Sequence, residues 1–163
     1  MILRLHPQSL QFPDPHQALG PESDAPGLLA VGGDLRPERL VEAYRHGIFP
    51  WFGPGQPILW WCFAPRMVLK TADFKLHPSL RKTLKRFLRT PGCEIRVNHA
   101  PEAVIRACAS TPREGQNGTW IVPEMQQAYA ELARRGIVQS VETWVDGQLV
   151  GGLYGLRLGR MFF

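Results

Sequence analysis

The sequence is short of several things, and each shortage closes off a class of protein. Cysteine occurs three times, at Cys62, Cys93 and Cys108, with none of the spacings that hold zinc or form a redox pair. An odd, sparse set speaks for reduced thiols in a cytosolic protein and against a disulfide scaffold. Long apolar runs are missing as well. No segment approaches the about 20 residues of a membrane-spanning helix, and the opening MILRLHPQSLQFPDP lacks the continuous apolar stretch of a signal peptide. The expectation is a cytoplasmic protein with no membrane partner. There is no internal repeat and no low-complexity tract. The five histidines are scattered, with no nucleophile–base pattern beside any of them; His77 and His99 read as turn or cap residues. The 14 acids form no recognisable pair, so carboxylate acid–base chemistry has no visible seat here.

What is present is ordinary in bulk and uneven in detail. With 163 residues, 44% of them hydrophobic and 20% charged, the chain can bury a core as one large domain or two small ones. Its net charge is +5. Between Arg66 and Arg89 stand eight cations (Arg66, Lys70, Lys75, Arg81, Lys82, Lys85, Arg86, Arg89) and one acid, Asp73. That stretch is +7, and +5 minus +7 leaves −2 for the rest. The basicity is therefore local, which says more about a partner than the overall pI does.

The most unusual stretch is Asp34 to Leu69. A short helix is predicted first, with Arg36 at the N-cap, Pro37 as first helical residue and Gly47 just past its end. Leu40, Val41 and Tyr44 give it one apolar stripe. Arg36 has no short oxygen to accept an amide, so Asp34 is the expected substitute. Then IFPWFGPGQPILWW sets Phe49, Trp51, Phe52, Trp60 and Trp61 among prolines and glycines. Rings held on turns cannot all face one core. The stretch is either a stapled loop over a small core or a rigid stacking platform for a base or another flat ligand.

The other elements follow from period and punctuation. Residues 1–26 are a proline-rich, weakly structured entry whose Leu10 and Phe12 could dock on the core. GLLAVGG, 27–33, is a buried strand or a turn. PSLRKTLKRFLR, 78–89, is an amphipathic helix with Leu80, Leu84, Phe87 and Leu88 on one side. Its other side carries Arg81, Lys82, Lys85, Arg86 and Arg89. Like charges at i,i+4 weaken an isolated helix by roughly 0.2–0.5 kcal/mol per pair. The cluster is either a solvated face or a surface that tracks phosphates, where released counterions offset the repulsion. A membrane-surface helix would need a larger apolar face. A strand is predicted at 93–98, a short helix at 101–109 with Val104, Ile105 and Cys108 inward, and a polar loop at 110–120. A clear helix at 122–136 opens on Pro123 and closes on Gly136. Strands 137–145 and 148–158 are joined by Asp146-Gly147, a type I′ turn signal. Gly151, Gly152 and Gly155 weaken the second strand unless a bulge or an approaching ligand needs them. A second turn at 158–160 leads into Met161-Phe162-Phe163. A domain seldom ends three apolar residues into a strand, so the expectation is a C-terminally truncated sequence.

Five segments together carry a resemblance: GLLAVGGDL (27–35), AYRHGIFPWF (43–52), PILWWCFAPR (57–66), GTWIVPEM (118–125) and GGLYG (151–155). In this order and spacing, from about residue 5 to residue 163, the chain resembles the bacterial leucyl/phenylalanyl-tRNA–protein transferases. The family's enzymes are longer. The resemblance implies an α+β fold: a small N-terminal mixed α/β domain over 1–69, then at 70–163 the first part of an acetyltransferase-like (GNAT) domain with a largely antiparallel mixed sheet and flanking helices.

The resemblance also implies an activity. Family members move leucine or phenylalanine, and methionine less well, from the 3′ end of aminoacyl-tRNA to an N-terminal arginine or lysine of a protein. The product enters the N-degron degradation pathway. No metal, coenzyme or nucleotide is expected, since the tRNA ester is already activated. The expected partners are aminoacyl-tRNA and the acceptor protein; the expected state is a monomer. Trp51 matches the tryptophan that packs on the terminal adenosine, and Trp120 the second tryptophan of that pocket. Tyr44 and Tyr129 match tyrosines beside it, and Leu153 an apolar residue lining the amino-acid pocket. Arg81, Lys82, Lys85, Arg86 and Arg89 sit where tRNA-contacting positive charge is expected. The family's catalytic glutamate and aspartate–glutamine pair are expected beyond residue 163, so no catalytic residue is assigned here. Glu114 is the nearest acid to the pocket, equally readable as a loop carboxylate paired with Arg113. Two other readings stay open for the chain alone: a tRNA 3′-end binding module without chemistry, and a general single-strand binder.

Overall fold

The computed structural model describes residues 2–112, 115 and 119–163. Helices and two four-stranded sheets make an α+β fold. The first sheet has the order β1-β2-β4-β3, with β1 Leu3–Leu5, β2 Leu28–Gly32, β3 Phe49–Pro50 and β4 Leu59–Trp61. Its β1–β2 pair is parallel; the others are antiparallel. The GLLAVGG run is thus a strand, held between β1 and β4, and its Leu28, Leu29 and Ala30 are buried. The entry segment is more structured than its composition suggests. Leu3–Leu5 pairs with β2, and a three-residue strand is too short to leave a periodic signal. Phe12 does dock, edge-on to Trp60 at 4.9 Å between ring centres.

Helix α1, Pro37–Arg45, starts and stops as expected. Arg36 makes no side-chain cap; Asp34 Oδ1 instead accepts the Arg36 amide at 3.1 Å. Past the end, Gly47 takes φ +71°. Its amide donates to Tyr44 O at 3.0 Å and that of Ile48 to Ala43 O at 2.9 Å, the paired bonds of a Schellman ending. Arg39 on this helix is fully buried. Asp34 takes its Nε at 3.2 Å and its Nη2 at 3.3 Å, and the His6 and Pro7 carbonyls also accept from Nη2. A Cβ on Gly33 would lie 3.2 Å from the guanidinium, so the GGDL run is a seat for this one side chain.

The β3/β4 hairpin sorts its rings by strand alternation. Pro50, Phe52 and Trp60 point in and are buried, with Trp60 Nε1 donating to Gly32 O at 2.8 Å. Phe49, Trp51, Trp61 and Phe63 fall on the other side. Helix α2, Pro78–Phe87, has no buried residue, and Leu80, Leu84 and Leu88 are exposed. Its amphipathic pattern makes the helix, but among the described residues nothing covers its apolar side.

The second sheet is antiparallel throughout, in the order β5-β6-β7-β8: Cys93–Val97, Val138–Val145, Gln148–Leu158 and Met161–Phe162. Asp146 (φ 48°) and Gly147 (φ 76°) make the type I′ turn. A register shift at Thr143/Trp144 marks a bulge. The glycines of β7 answer to the protein itself. A Cβ at Gly152 would press on Val104 at 3.2 Å, and one at Gly155 would strike Phe163 O and the Phe162 ring. Helices α3, Pro101–Ser110, and α4, Pro123–Arg134, cover one face of this sheet. Val104 and Ile105 are buried, while Cys108 is half-buried. One contiguous core draws on both sheets, from Leu5, Ala30 and Trp60 through Leu40 and Ile48 to Met125, Leu132 and Leu156. Among the described residues no helix is long and apolar enough to cross a membrane.

A buried carboxylate anchors α3. The N-cap, Ala100, has no side chain to offer, and Glu142 on β6 supplies the missing acceptor. Its Oε1 accepts the Ala100 amide and the Ser140 hydroxyl, both at 2.7 Å, and its Oε2 accepts Trp144 Nε1 at 2.9 Å. Burial pushes its pKa up. Hydrogen bonds from Ala100 N, Ser140, Trp144 and His99 N outweigh that, and the net shift is downward. A helix N-terminus is where a fixed anion gains from the backbone dipoles. His99 is indeed at a turn, edge-on to Trp144, and accepts from Arg96 Nη1 at 3.1 Å.

Candidate functional site

Four of the five residues expected at the charged end of the tRNA surround one cavity of about 330 Å³, at the small end of ligand pockets. Helix α1 contributes Tyr44, and α4 contributes Tyr129. The segment before α4 contributes Trp120, β7 contributes Leu153, and the end of the chain contributes Phe163. The two tyrosine hydroxyls meet at 2.5 Å across 85 residues of sequence. Phe163 packs on Tyr44 at 5.4 Å and Tyr154 stands edge-on to Tyr129 at 5.8 Å. Both phenols are pushed above their ordinary pKa, chiefly by burial. They are therefore protonated at neutral pH and serve as hydrogen-bond donors and packing surface, not as bases. No carboxylate and no cation is among the described lining residues. Such a cavity suits an apolar or aromatic side chain or a flat ring, held by shape and stacking.

The structure does not bring every expected residue there. Tyr44, Trp120, Tyr129 and Leu153 line the cavity; Trp51 is not among its described lining residues. Trp51 is 46% exposed on the hairpin, against Trp61 at 5.7 Å. Strand alternation turns it away from the buried side where Phe52 and Trp60 lie. Leu153 is half exposed, across from Val141 on β6. Sequence reasoning missed Phe163, Tyr154 and Cys108. Nothing local marks them; only the glycines of β7 hinted that something approaches that strand closely.

Two of the larger hollows lie elsewhere. One of about 750 Å³ runs between Gly33, Phe52 and Ile58 and the first turns of α4, at Glu124 and Gln127. Of the aromatic and basic residues picked from the sequence, Phe52 alone is among its described lining residues. The other, about 730 Å³, is lined by all five expected cations, Arg81, Lys82, Lys85, Arg86 and Arg89. None of the five forms an ion pair among the described residues. Glu114 and Arg113 lie outside the described residues.

Comparison with known proteins points one way. Residues 68–163 match the family described as leucyl/phenylalanyl-tRNA protein transferase, and residues 33–62 match that described as its N-terminal domain. The chain is 63% identical over 152 residues to the leucyl/phenylalanyl-tRNA–protein transferase of Methylibium petroleiphilum, covering 93% of this chain and 57% of the relative. It is 61% identical over 155 residues to that of Leptothrix cholodnii, covering 95% and 60%. The figures for Paraburkholderia xenovorans are 58% over 152 residues, covering 93% and 62%. The chain thus spans about three-fifths of the length of these relatives.

Proposed function

Because this chain belongs to the leucyl/phenylalanyl-tRNA protein transferase family, we propose that it receives the charged 3′ end of leucyl- or phenylalanyl-tRNA. The observation that carries this is the cavity at Tyr44, Trp120, Tyr129 and Leu153, apolar and aromatic, with the cations of α2, which form no ion pair among the described residues, on the same chain. In the whole protein, the α-amine of an N-terminal arginine or lysine attacks the ester carbonyl of the bound aminoacyl-tRNA. An amide bond forms, the ester C–O bond breaks, the amine loses a proton and the tRNA leaves with a free ribose hydroxyl. Methionine is a weaker donor side chain. The modified protein passes to the N-degron pathway in the cytoplasm, and the enzyme works as a monomer. The division near residue 69, and the kinship of the second part with acetyltransferase sheets, belong to the same reading. The family matches support that division, one ending at residue 62 and the other beginning at 68.

The chain alone is a binding module in this reading. Among the described residues the cavity wall offers no carboxylate to meet a cationic acceptor, and the resemblance implies catalytic groups beyond residue 163. Incubated with labelled leucyl-tRNA and an arginine-starting peptide, the chain is expected to bind charged tRNA over uncharged tRNA and to leave the peptide unlabelled. Turnover would move a catalytic group inside 1–163. Equal binding of charged and bare ends would leave only a general single-strand binder.

Two substitution sets separate the parts. Trp120→Ala is expected to weaken binding of the charged end by roughly 1–3 kcal/mol, as for the loss of one base–aromatic stack. Trp51→Ala should do the same if it holds the adenine from outside the cavity, and an unchanged titration would remove it from the site. Changing Lys82, Lys85 and Arg86 to glutamine should lower the slope of log affinity against log salt by roughly 2, near 0.7 per lost phosphate contact on single strands. The preference for leucine or phenylalanine should stay as it was.

A further inference from the structure

The outward side of the β3/β4 hairpin is a continuous aromatic surface, and the cavity does not use it. Trp51 lies 5.7 Å from Trp61, Trp61 is stacked at 6.2 Å and 21° on Phe63, and Phe63 lies 5.8 Å from Phe49. Arg66 closes the row with its guanidinium 5.1 Å from the Phe49 ring centre. A soluble surface scatters single rings; four in contact, with Trp51 46% and Phe63 39% exposed, form a patch that wants a partner.

The row is held rigidly. Phe49 and Trp61 are cross-strand partners. Trp61 Nε1 donates to Trp51 O at 2.7 Å, and Arg66 Nη1 donates to Gly47 O at 2.8 Å. Phe63 rests on Gly27, where any Cβ would collide with its ring. Fixed rings lose little entropy when a ligand stacks on them. The charge beside them also has a sign. Arg66 begins the +7 stretch that runs to Arg89, and its charge is felt at the Tyr44 hydroxyl, on the wall of the cavity.

We infer that Trp61, Phe63 and Arg66 form a second subsite, which holds the unpaired nucleotides preceding the terminal adenosine of the tRNA. Bases stack on the rings, and Arg66 meets a phosphate between them. This rests on the reading of the cavity as the charged-end site and extends it from one nucleoside to a short single strand. A protein segment lying on the same patch would gain from the rings but not from the cationic edge, which favours RNA.

The experiment uses the 163-residue chain and two probes. One is the stable amide analogue of phenylalanyl-adenosine, a single nucleoside without phosphate. The other is the same terminus extended by two cytidylates. The parent is expected to bind the longer probe more tightly. Phe63→Leu should lower affinity for the longer probe about fivefold or more, the weight of one base stack, with no change for the nucleoside. Phe63→Tyr, which keeps a ring, should restore it. Arg66→Gln should reduce the salt dependence of the longer probe alone. Equal affinity of the parent for both probes, or equal losses on both with Phe63→Leu, would overturn the subsite and leave the cavity standing. A parent that binds neither probe would overturn the cavity reading itself. If Phe63→Leu weakens binding of an arginine-starting peptide and not of RNA, the patch belongs to the acceptor protein and the inference fails.

Discussion

Asp34→Asn is expected to lower the free energy of unfolding by about 3 kcal/mol, the low end of the range for stranding a buried charge. Arg39 has no exposed surface, and among the described residues Asp34 is the acid it pairs with, through two hydrogen bonds at 3.2 and 3.3 Å. The lower end applies because the Asp34 side chain is itself 36% exposed, so water already screens part of the pair. Urea unfolding should show a lower midpoint with an unchanged slope. The double change Asp34→Asn with Arg39→Met should recover much of the loss, since removing both charges leaves none stranded. If the double variant is no more stable than the single one, the pair is not what the loop depends on. The acid limb carries the same sign. Burial raises the Asp34 pKa, while the Arg39 hydrogen bond, the Arg36 amide and both guanidinium charges bring it below the ordinary carboxylate value. A carboxyl depressed in the folded state is protonated first in the unfolded chain. Its contribution is complete above the ordinary carboxylate pKa and is lost as pH falls through the folded-state value. Asp34→Asn should flatten that limb.

Glu142→Ala should cost about 3 kcal/mol as well, by a different route: it removes an acceptor from several donors at once. The amide of Ala100, the Ser140 hydroxyl and the Trp144 indole would lose their partner in a site where Glu142 and Ser140 are fully buried and Ala100 and Trp144 half-buried. The N-terminus of α3 would then be uncapped. Since α3 carries Cys108 into the cavity wall and Val104 against Gly152, affinity for the charged tRNA end should fall with stability. Glu142→Gln keeps the shape and one acceptor and is expected to lose less of both. Hydrogen exchange of the α3 amides is the direct measurement. Protection that survives in Glu142→Ala would mean the helix is held by its apolar face alone. This carboxyl is also depressed on balance in the folded state, so its support too is present at neutral pH and lost on acidification.

These two carboxylates mark where reading the chain succeeded and where it stopped. Asp34 was visible, because a cationic N-cap beside a short acid invites a substitute, though its real charge is Arg39, one turn on. Glu142 was invisible. In VETWV it looks like any solvated acid on an alternating strand, and only the return of the chain at Ala100 gives it donors. The aromatic stretch divides in the same way. That its rings could not share one face followed from its prolines and glycines. Which of them turned inward followed from the register of Pro50 against Trp60, and that depends on a pairing partner nine residues or more away.

What the chain alone determined is whatever its covalent geometry imposes within a few residues: proline openings and glycine endings of α1 and α4, the Asp146-Gly147 turn, a local cationic stretch, and the ordered motifs that carry the family. Tertiary packing alone decided that Tyr44 and Tyr129 meet, that Phe163 joins them against Gly155, that Trp51 stands outside their cavity, and that Leu80, Leu84 and Leu88 of the apolar side of α2 are exposed. The division has a physical cause. Backbone preference and capping act through neighbours in sequence, whereas a cavity is made by side chains whose encounter is set by the burial of surfaces contributed from distant parts of the chain.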